Sequence, residues 1–376
     1  MVNINVQAVV EELKLDRDIV GFVDIIPCGE FMVNTLAILL DGAADDRIPE
    51  LNYRTPLEAI RKPFIDGLAS RGIYGCTDSK EYTHLFLLEL LTGNSISIPR
   101  GVVEALSFNI SLDSGYVAYR LSPAIIENGF IKWIYNLSKE NELRIFRAVN
   151  DSLRYLESPK IYFYSGCKGV LIVKSSKILD FPSPPSPSML NIDLDMFRDF
   201  ITSIASKANG LTLIPWGGGK LEPINVKSKV KLLTIISKSP SVLGIGNILG
   251  FSSIRVSNSV SEGLDKSLEY LKTSNVLLHV EEIDDISHTK SFSLKMSILE
   301  DIDLKLRSKI EEMEGFRVAI IIDHGTSSLT GKHLDVNVPF TVSKVTGTLT
   351  FKVRFCEGIG DYTPLKSLAE VLFNGY

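Results

Sequence analysis

The sequence predicts an α/β fold: a core with a mainly parallel sheet, interrupted by an inserted α+β domain. Three observations carry this reading. Three apolar runs each end in acidic residues: TLAILLD at Asp41, VLLHVEE at Glu281 and Glu282 with Asp284 just beyond, and VAIIID at Asp323. Uninterrupted apolar runs of this length are what strands buried on both faces of a parallel sheet require. Between such runs lie helix-period patterns, PLEAIRKPFIDGLASRG (56–72) and SILEDIDLKLRSKIEEME (297–314), as in strand–helix–strand units. The middle of the chain departs from this alternation, which marks it as a separate domain.

Taken in order, residues 1–31 lack a basic segment followed by a small-residue cleavage site and are not a signal peptide. At Met32 the chain changes character, so 1–31 read either as an extension ahead of a natural start or as a surface helix over VQAVVEELKL. Residues 32–106 and 227–376 form the core. Residues 107–226 form the insertion, with strand-like GYVAYRL, KIYFYSG and GVLIVKS and the helix MFRDFITSIASKAN. FPSPPSPS (181–188) is a surface loop, because proline cannot donate to a strand ladder. WGGGK (216–220) lacks the GxxxxGK[ST] spacing of a phosphate loop and reads as a tight connection between the domains.

Composition narrows the function. Apolar residues make up 45% and charged residues 23%, a globular balance, and the formal net charge of −5 with no basic tract argues against nucleic acid as a partner. No apolar run approaches the roughly 20 residues a spanning helix needs, so no membrane partner is expected. The four cysteines form no CxxC pair, which fits a reduced, cytoplasmic compartment.

The stretch HVEEIDDISH (279–288) concentrates two of the five histidines in the chain within an acidic segment. The four-residue spacing of Asp284 and His288 puts both side chains on one face of a helical turn. IIDHGTSSLTGKH adds Asp323, His324 and His333, and Asp41 closes the first apolar run. Scattered surface or capping residues are the bland reading. Strand ends of a parallel sheet, however, converge on the crevice where such sheets bind ligands, so these residues become neighbours despite their separation in sequence. Imidazole and carboxylate together are ligands for divalent metals, and the pattern predicts a two-metal site.

LLDGAADDRIPELNYRTPLEAIRKPFIDGLASRGIYG (39–75), HVEEIDDISH, and IIDHGT with KHLDVNVPF resemble, in order, motifs of the archaeal cofactor-independent phosphoglycerate mutases of the alkaline phosphatase superfamily. IPRGVVEAL, VAYR and ANGLTLIPWGGGK are weaker matches. The resemblance implies an alkaline-phosphatase-like core with an inserted domain closing over it. It also implies interconversion of 3- and 2-phosphoglycerate through a phosphoserine, without 2,3-bisphosphoglycerate. Carried across, Asp284, His288 and His333 hold one metal; Asp41, Asp323 and His324 hold the other with the nucleophilic serine. The ions would be manganese, zinc or magnesium, and the partner a small phosphorylated substrate.

The pattern breaks at the serine. In the family it stands four residues before a histidine that resembles His84; here that position is Lys80. Ser79, next to it, is the expected nucleophile, opening the helix that carries His84; Thr77 and Thr83 are the other nearby hydroxyls. Alternatively Asp78 or Ser79 caps that helix. His84 itself reads as a core histidine or one supporting the metal ligands. Arg100 and Arg120 match arginines of the family and are expected, with Lys80, to bind substrate, but an arginine pair expected near 130–146 is missing and Cys167-Lys168 replaces a histidine–arginine pair. Losing planar arginine forks leaves two alternatives to the mutase: an enzyme for another phosphate or phosphonate ester, and a non-catalytic relative that binds or regulates.

Overall fold

The computed structural model describes residues 33–110, 115–135, 137–184, 188–189, 195–347 and 351–374. The N-terminal stretch, read above as an extension or a surface helix, lies outside them, as does part of the Pro/Ser run. Residues 34–376 form one compact unit.

Its main sheet has eight strands in the order Ser252–Arg255, Leu233–Ser237, Asn275–Val280, Thr35–Leu40, Arg317–Ile321, Val338–Lys344, Ile73–Thr77 and Asp361–Tyr362. The first five run parallel to one another. Val338–Lys344 is antiparallel to both of its neighbours, and the last pair is parallel. Thr35–Leu40 is buried along its whole length, as an apolar strand covered on both faces must be. Its neighbours are the two other acid-terminated runs. Leu40 pairs with Val280 and Leu39 with Ile321, so the three strands end level. The segments that follow them carry Asp41, Asp284 and Asp323 to one edge of the core.

The helical stretch at 56–72 is two helices, Pro56–Ala59 and Pro63–Ala69. Pro63 disfavours helical backbone at Lys62, which sits at φ −137°, and the chain turns there. Thr55 and Glu58 close the first turn with a reciprocal capping box. The second acidic pattern forms one long helix, Phe292–Ser308, followed by the turn Ile310–Met313.

A second, wholly antiparallel sheet is built around Tyr116–Glu127, which pairs with Lys168–Lys174, Leu211–Lys220 and Phe130–Trp133. Helices Lys139–Ser152 and Arg198–Lys207 bury Ile145, Val149, Phe200 and Ile204 in its own apolar cluster, beside Trp216 and Leu213. WGGGK is not a free connection between domains. It is the end of the strand Leu211–Lys220, across from an irregularity between Ala118 and Arg120. A Cβ on Gly219 would strike Pro99 and Val102, so the glycines let this strand lie against the helix Arg100–Leu106. No helix among the described residues is long and apolar enough to cross a membrane.

Candidate metal centre

Asp41 follows directly on the strand Thr35–Leu40 and is almost wholly buried. Its Oδ1 lies 3.1 Å from Nε2 of His324, and its Oδ2 lies 3.0 Å from Nε2 of His279. Asp323 Oδ1 accepts the backbone N–H groups of Gly42 (3.1 Å) and His324 (3.0 Å). Its Oδ2 is buried without a hydrogen-bond partner. Donor atoms of Asp41, Asp323 and His324 all lie within 4.8 Å of one another.

The second set has the same spread. Asp284, His288 and His333 offer three donor atoms within 4.8 Å. Asp284 and His288 sit one turn apart at the helix Glu282–Ser287 and its C-cap, with Oδ2 and Nε2 3.1 Å apart. His288 Nδ1 donates to the Gly331 carbonyl (2.8 Å), which leaves Nε2 as the free lone pair. His333 has neither ring nitrogen satisfied, although both are buried. Buried polar atoms without partners are rare in folded proteins, and here they point at a group not made of protein. Asp323 Oδ2 and the His333 nitrogens, set among carboxylates and imidazoles, fit divalent metal ions.

The two sets touch. The rings of His324 and His333 stack with centroids 4.3 Å apart, and His333 Nε2 lies 3.9 Å from Asp284 Oδ1. Gly42 sits between them at φ +64°, and a Cβ there would fall 2.6 Å from Asp284 Oδ1 and 2.7 Å from Thr326 Oγ1. Both the left-handed backbone and the close approach require glycine.

The electrostatics are those of a pocket built for positive charge. Burial raises the Asp323 carboxyl to about 6, helped by the charge on Asp41. Burial opposes protonation of His324, yet Asp323 and Asp41 lift it to about 10. His333 goes the other way: burial and the neighbouring His324 push it down to about 4. Asp284 is held well below the carboxylate range by His288, His324 and His333 against its burial.

Four residues outside the expected set support these ligands. His279 bridges Asp41 to the Ser237 hydroxyl, 3.0 Å from its Nδ1. Thr326 Oγ1 donates to Asp284 Oδ1 at 2.6 Å. Lys295, fully buried, donates to the carbonyls of Gly42, Ala44 and Thr326 and pairs with Asp45 at 2.9 Å. His279 stood inside the quoted motif; Thr326 followed Asp323 and His324 by two residues. Lys295 and Asp45 carried no local signal, because their pairing depends on the fold.

The helix carrying His84 is Thr83–Thr92, so Ser79 lies in the loop ahead of it rather than opening it, and it is not among the residues lining the cleft. Asp78 does not cap that helix either: it accepts from Leu365 N and from the Tyr362 hydroxyl. The Lys80 N–H donates to the Asp323 carbonyl (3.0 Å), and its ammonium pairs with Glu89 (2.9 Å) on the following helix. The hydroxyl delivered to the site is that of Thr83, 3.4 Å from Asp41 Oδ1. His84 is buried beside Tyr82 and held neutral, its imidazole pushed down to about 3 by burial and by Arg100.

A cleft of about 640 Å³ opens from the cluster, with Arg100, Arg120, Lys168, Lys238 and Arg255 on its walls. The two expected arginines are there but engaged. Glu104, fully buried, accepts from Arg100 Nε (2.8 Å), Arg120 Nη1 (2.7 Å) and the Tyr164 hydroxyl (2.8 Å). Arg120 Nε is left without a partner. Lys168 reaches the cleft beside Asp285.

Residues 224–364 match the family model of the metalloenzyme superfamily. The chain is 26% identical over 363 residues to the 2,3-bisphosphoglycerate-independent phosphoglycerate mutase of Methanosarcina mazei, covering 81% of this chain and 89% of that protein. It is 24% identical over 362 residues to the same-named protein of Pyrococcus furiosus, covering 81% and 87%. Among solved structures it resembles the PH0037 protein from Pyrococcus horikoshii, with a TM-score of 0.66, 19% identity and coverage of 91% and 97% of the two chains. It also resembles the cofactor-independent phosphoglycerate mutase from Thermoplasma acidophilum, with a TM-score of 0.52, 17% identity and coverage of 91% and 99%. At these identities the structural likeness is one of fold, and the fold is the alkaline-phosphatase-like α/β arrangement expected from the sequence.

Proposed function

We propose that this chain is a metal-dependent phosphoryl-transfer enzyme acting on a small phosphorylated substrate. The observation that carries the proposal is the contact between two three-residue donor sets at the floor of an arginine- and lysine-lined cleft. Asp41, Asp323 and His324 would hold one divalent ion, and Asp284, His288 and His333 the other; manganese, zinc and magnesium suit these donors. A bound pair of such ions supplies neutralisation of phosphoryl charge. The chain itself supplies order. His279 and Thr326 hold Asp41 and Asp284 in place, Gly331 fixes the His288 tautomer, and Lys295 ties Gly42 and Thr326 together. In this reading residues 32–106 and 227–376 are the metal-binding core, and 107–226 the domain that closes over substrate.

The specific reaction favoured by the names of the relatives is interconversion of 3- and 2-phosphoglycerate without 2,3-bisphosphoglycerate. One observation favours a second substrate instead. Glu104 takes a charge-assisted hydrogen bond from one nitrogen of each arginine, so each planar fork is partly committed before a carboxylate arrives. A phosphate or phosphonate ester without that carboxylate meets the same cleft equally well.

A coupled assay from 3-phosphoglycerate, run with metal-free and manganese-reconstituted protein and no added 2,3-bisphosphoglycerate, tests the reading. The expected result is manganese-dependent turnover on the order of 1–10³ per second. Metal-dependent turnover of a different phosphate ester selects the second substrate class. No turnover of any ester by metal-loaded protein contradicts the proposal and leaves the non-catalytic alternative.

A further inference from the structure

We propose that Thr83 is the nucleophile of this site and forms a phosphothreonine, replacing the serine whose aligned position holds Lys80. The inference rests on the phosphoryl-transfer reading above. Among the described residues, Thr83 is the hydroxyl that both lines the cleft and lies within hydrogen-bonding distance of a cluster carboxylate, 3.4 Å from Asp41 Oδ1. Thr326 and Ser237, the other aliphatic hydroxyls bonded to this cluster or to His279 behind it, are committed elsewhere. Thr326 is fully buried behind Asp284 and does not line the cleft, and Ser237 backs His279. On the cleft wall, Ser239 and Ser241 pair with each other, and Ser257 donates to Glu262.

The local chain explains why Thr83 holds this place. The loop after Thr77 is pinned by the Lys80 N–H on the Asp323 carbonyl and by Lys80–Glu89. The helix then begins at Thr83, with Tyr82 as its N-cap and no side chain capping it. At the start of this ten-residue helix the N–H groups of Leu85 and Phe86 already donate to the Tyr82 carbonyl, which leaves those of Thr83 and His84, without partners within the helix, as donors for an anion. A nucleophile there combines a hydroxyl aimed at the cluster with donors for the phosphoryl oxygens. In the step, Thr83 Oγ1 bonds to phosphorus as the bond from phosphorus to the substrate oxygen breaks. The threonine proton passes to the departing oxygen, which leaves as an alcohol. A hydroxyl of the bound molecule, or water, then accepts the phosphoryl group and returns its own proton to Thr83.

Manganese-loaded protein is incubated with 3-phosphoglycerate or p-nitrophenyl phosphate, quenched in acid, digested and analysed for phosphopeptides by mass spectrometry. The expected result is phosphate on Thr83 in the unaltered protein. Thr83→Val, which keeps the shape without the hydroxyl, loses the phosphopeptide and about 10³-fold or more of turnover. Thr83→Ser keeps both within about tenfold and carries phosphoserine at residue 83. Ser79→Ala is unchanged. Manganese content and thermal stability of each variant are measured alongside, so a variant that fails to fold or to bind metal is recognised, and the Thr83→Ser result then decides. Phosphate on Ser79, or full turnover by Thr83→Val, overturns the proposal while leaving the phosphoryl-transfer reading intact. An unaltered protein that binds manganese but turns over no ester removes that reading and this proposal with it.

Discussion

Asp284→Ala should lower metal-dependent turnover about 10³-fold, since an ion that stabilises phosphoryl charge is worth several kcal/mol. Asp284 is the only carboxylate in its donor set, so its removal leaves His288 and His333 alone. Two neutral imidazoles cannot offset the charge of a divalent ion taken from water. Asp41, Asp323 and His324 keep all their donors, so one of the two ions should persist. The variant should fold: Asp284 accepts from Thr326 and faces three histidines, but it also repels Asp41, and the metal-free protein loses that repulsion. Thermal unfolding with and without manganese checks this. The metal-free midpoint should stay near that of the unaltered protein, and the rise on adding manganese should shrink. An unchanged rise and unchanged turnover would remove Asp284 from the ligand set.

Lys295→Met should destabilise the fold by about 3–5 kcal/mol, the usual consequence of stranding one partner of a buried ion pair. Lys295 and Asp45 are both fully buried at the side chain and 2.9 Å apart. Methionine fills a similar volume but donates nothing, so the carbonyls of Gly42, Ala44 and Thr326 lose their donor. Asp45 keeps its bonds from the N–H groups of Ser328 and Asp46, which do not neutralise its charge. The same substitution should weaken metal binding, because Gly42 and Thr326 lie against Asp284 and Asp323. Adding Asp45→Asn removes the stranded charge. The double variant should therefore be more stable than Lys295→Met alone, a non-additivity that chemical denaturation of all three variants measures.

The sheet and the gathering of these carboxylates and histidines were legible because their signals are local, whereas the division of the six residues into two sets came from the family resemblance. A strand buried on both faces must be apolar throughout, and an acidic residue closing such a run stands out against it. Asp284 and His288 were readable from helical spacing alone. That the two sets would meet followed only from the rule that parallel strands present their ends at one edge, and the level pairing of Leu39, Leu40, Val280 and Ile321 realises it. The start of the helix carrying His84 was not legible, for a physical reason: Tyr82 offers no side-chain cap to mark it. The pairing of Lys80 with Glu89, nine residues along on that helix, likewise depends on where the helix begins. Arg100 and Glu104 did carry a signal, being one turn apart in RGVVE. The convergence of Arg120 and Tyr164 on the same carboxylate came from strand pairing that only the fold supplies.

Two divalent ions are proposed to sit side by side where the strand of Asp41 meets its neighbours. Elemental analysis of protein loaded with manganese and then dialysed tests this most directly. The expected result is two ions per chain, one for each donor set. Less than one ion per chain, from protein that is folded by thermal unfolding, would contradict it.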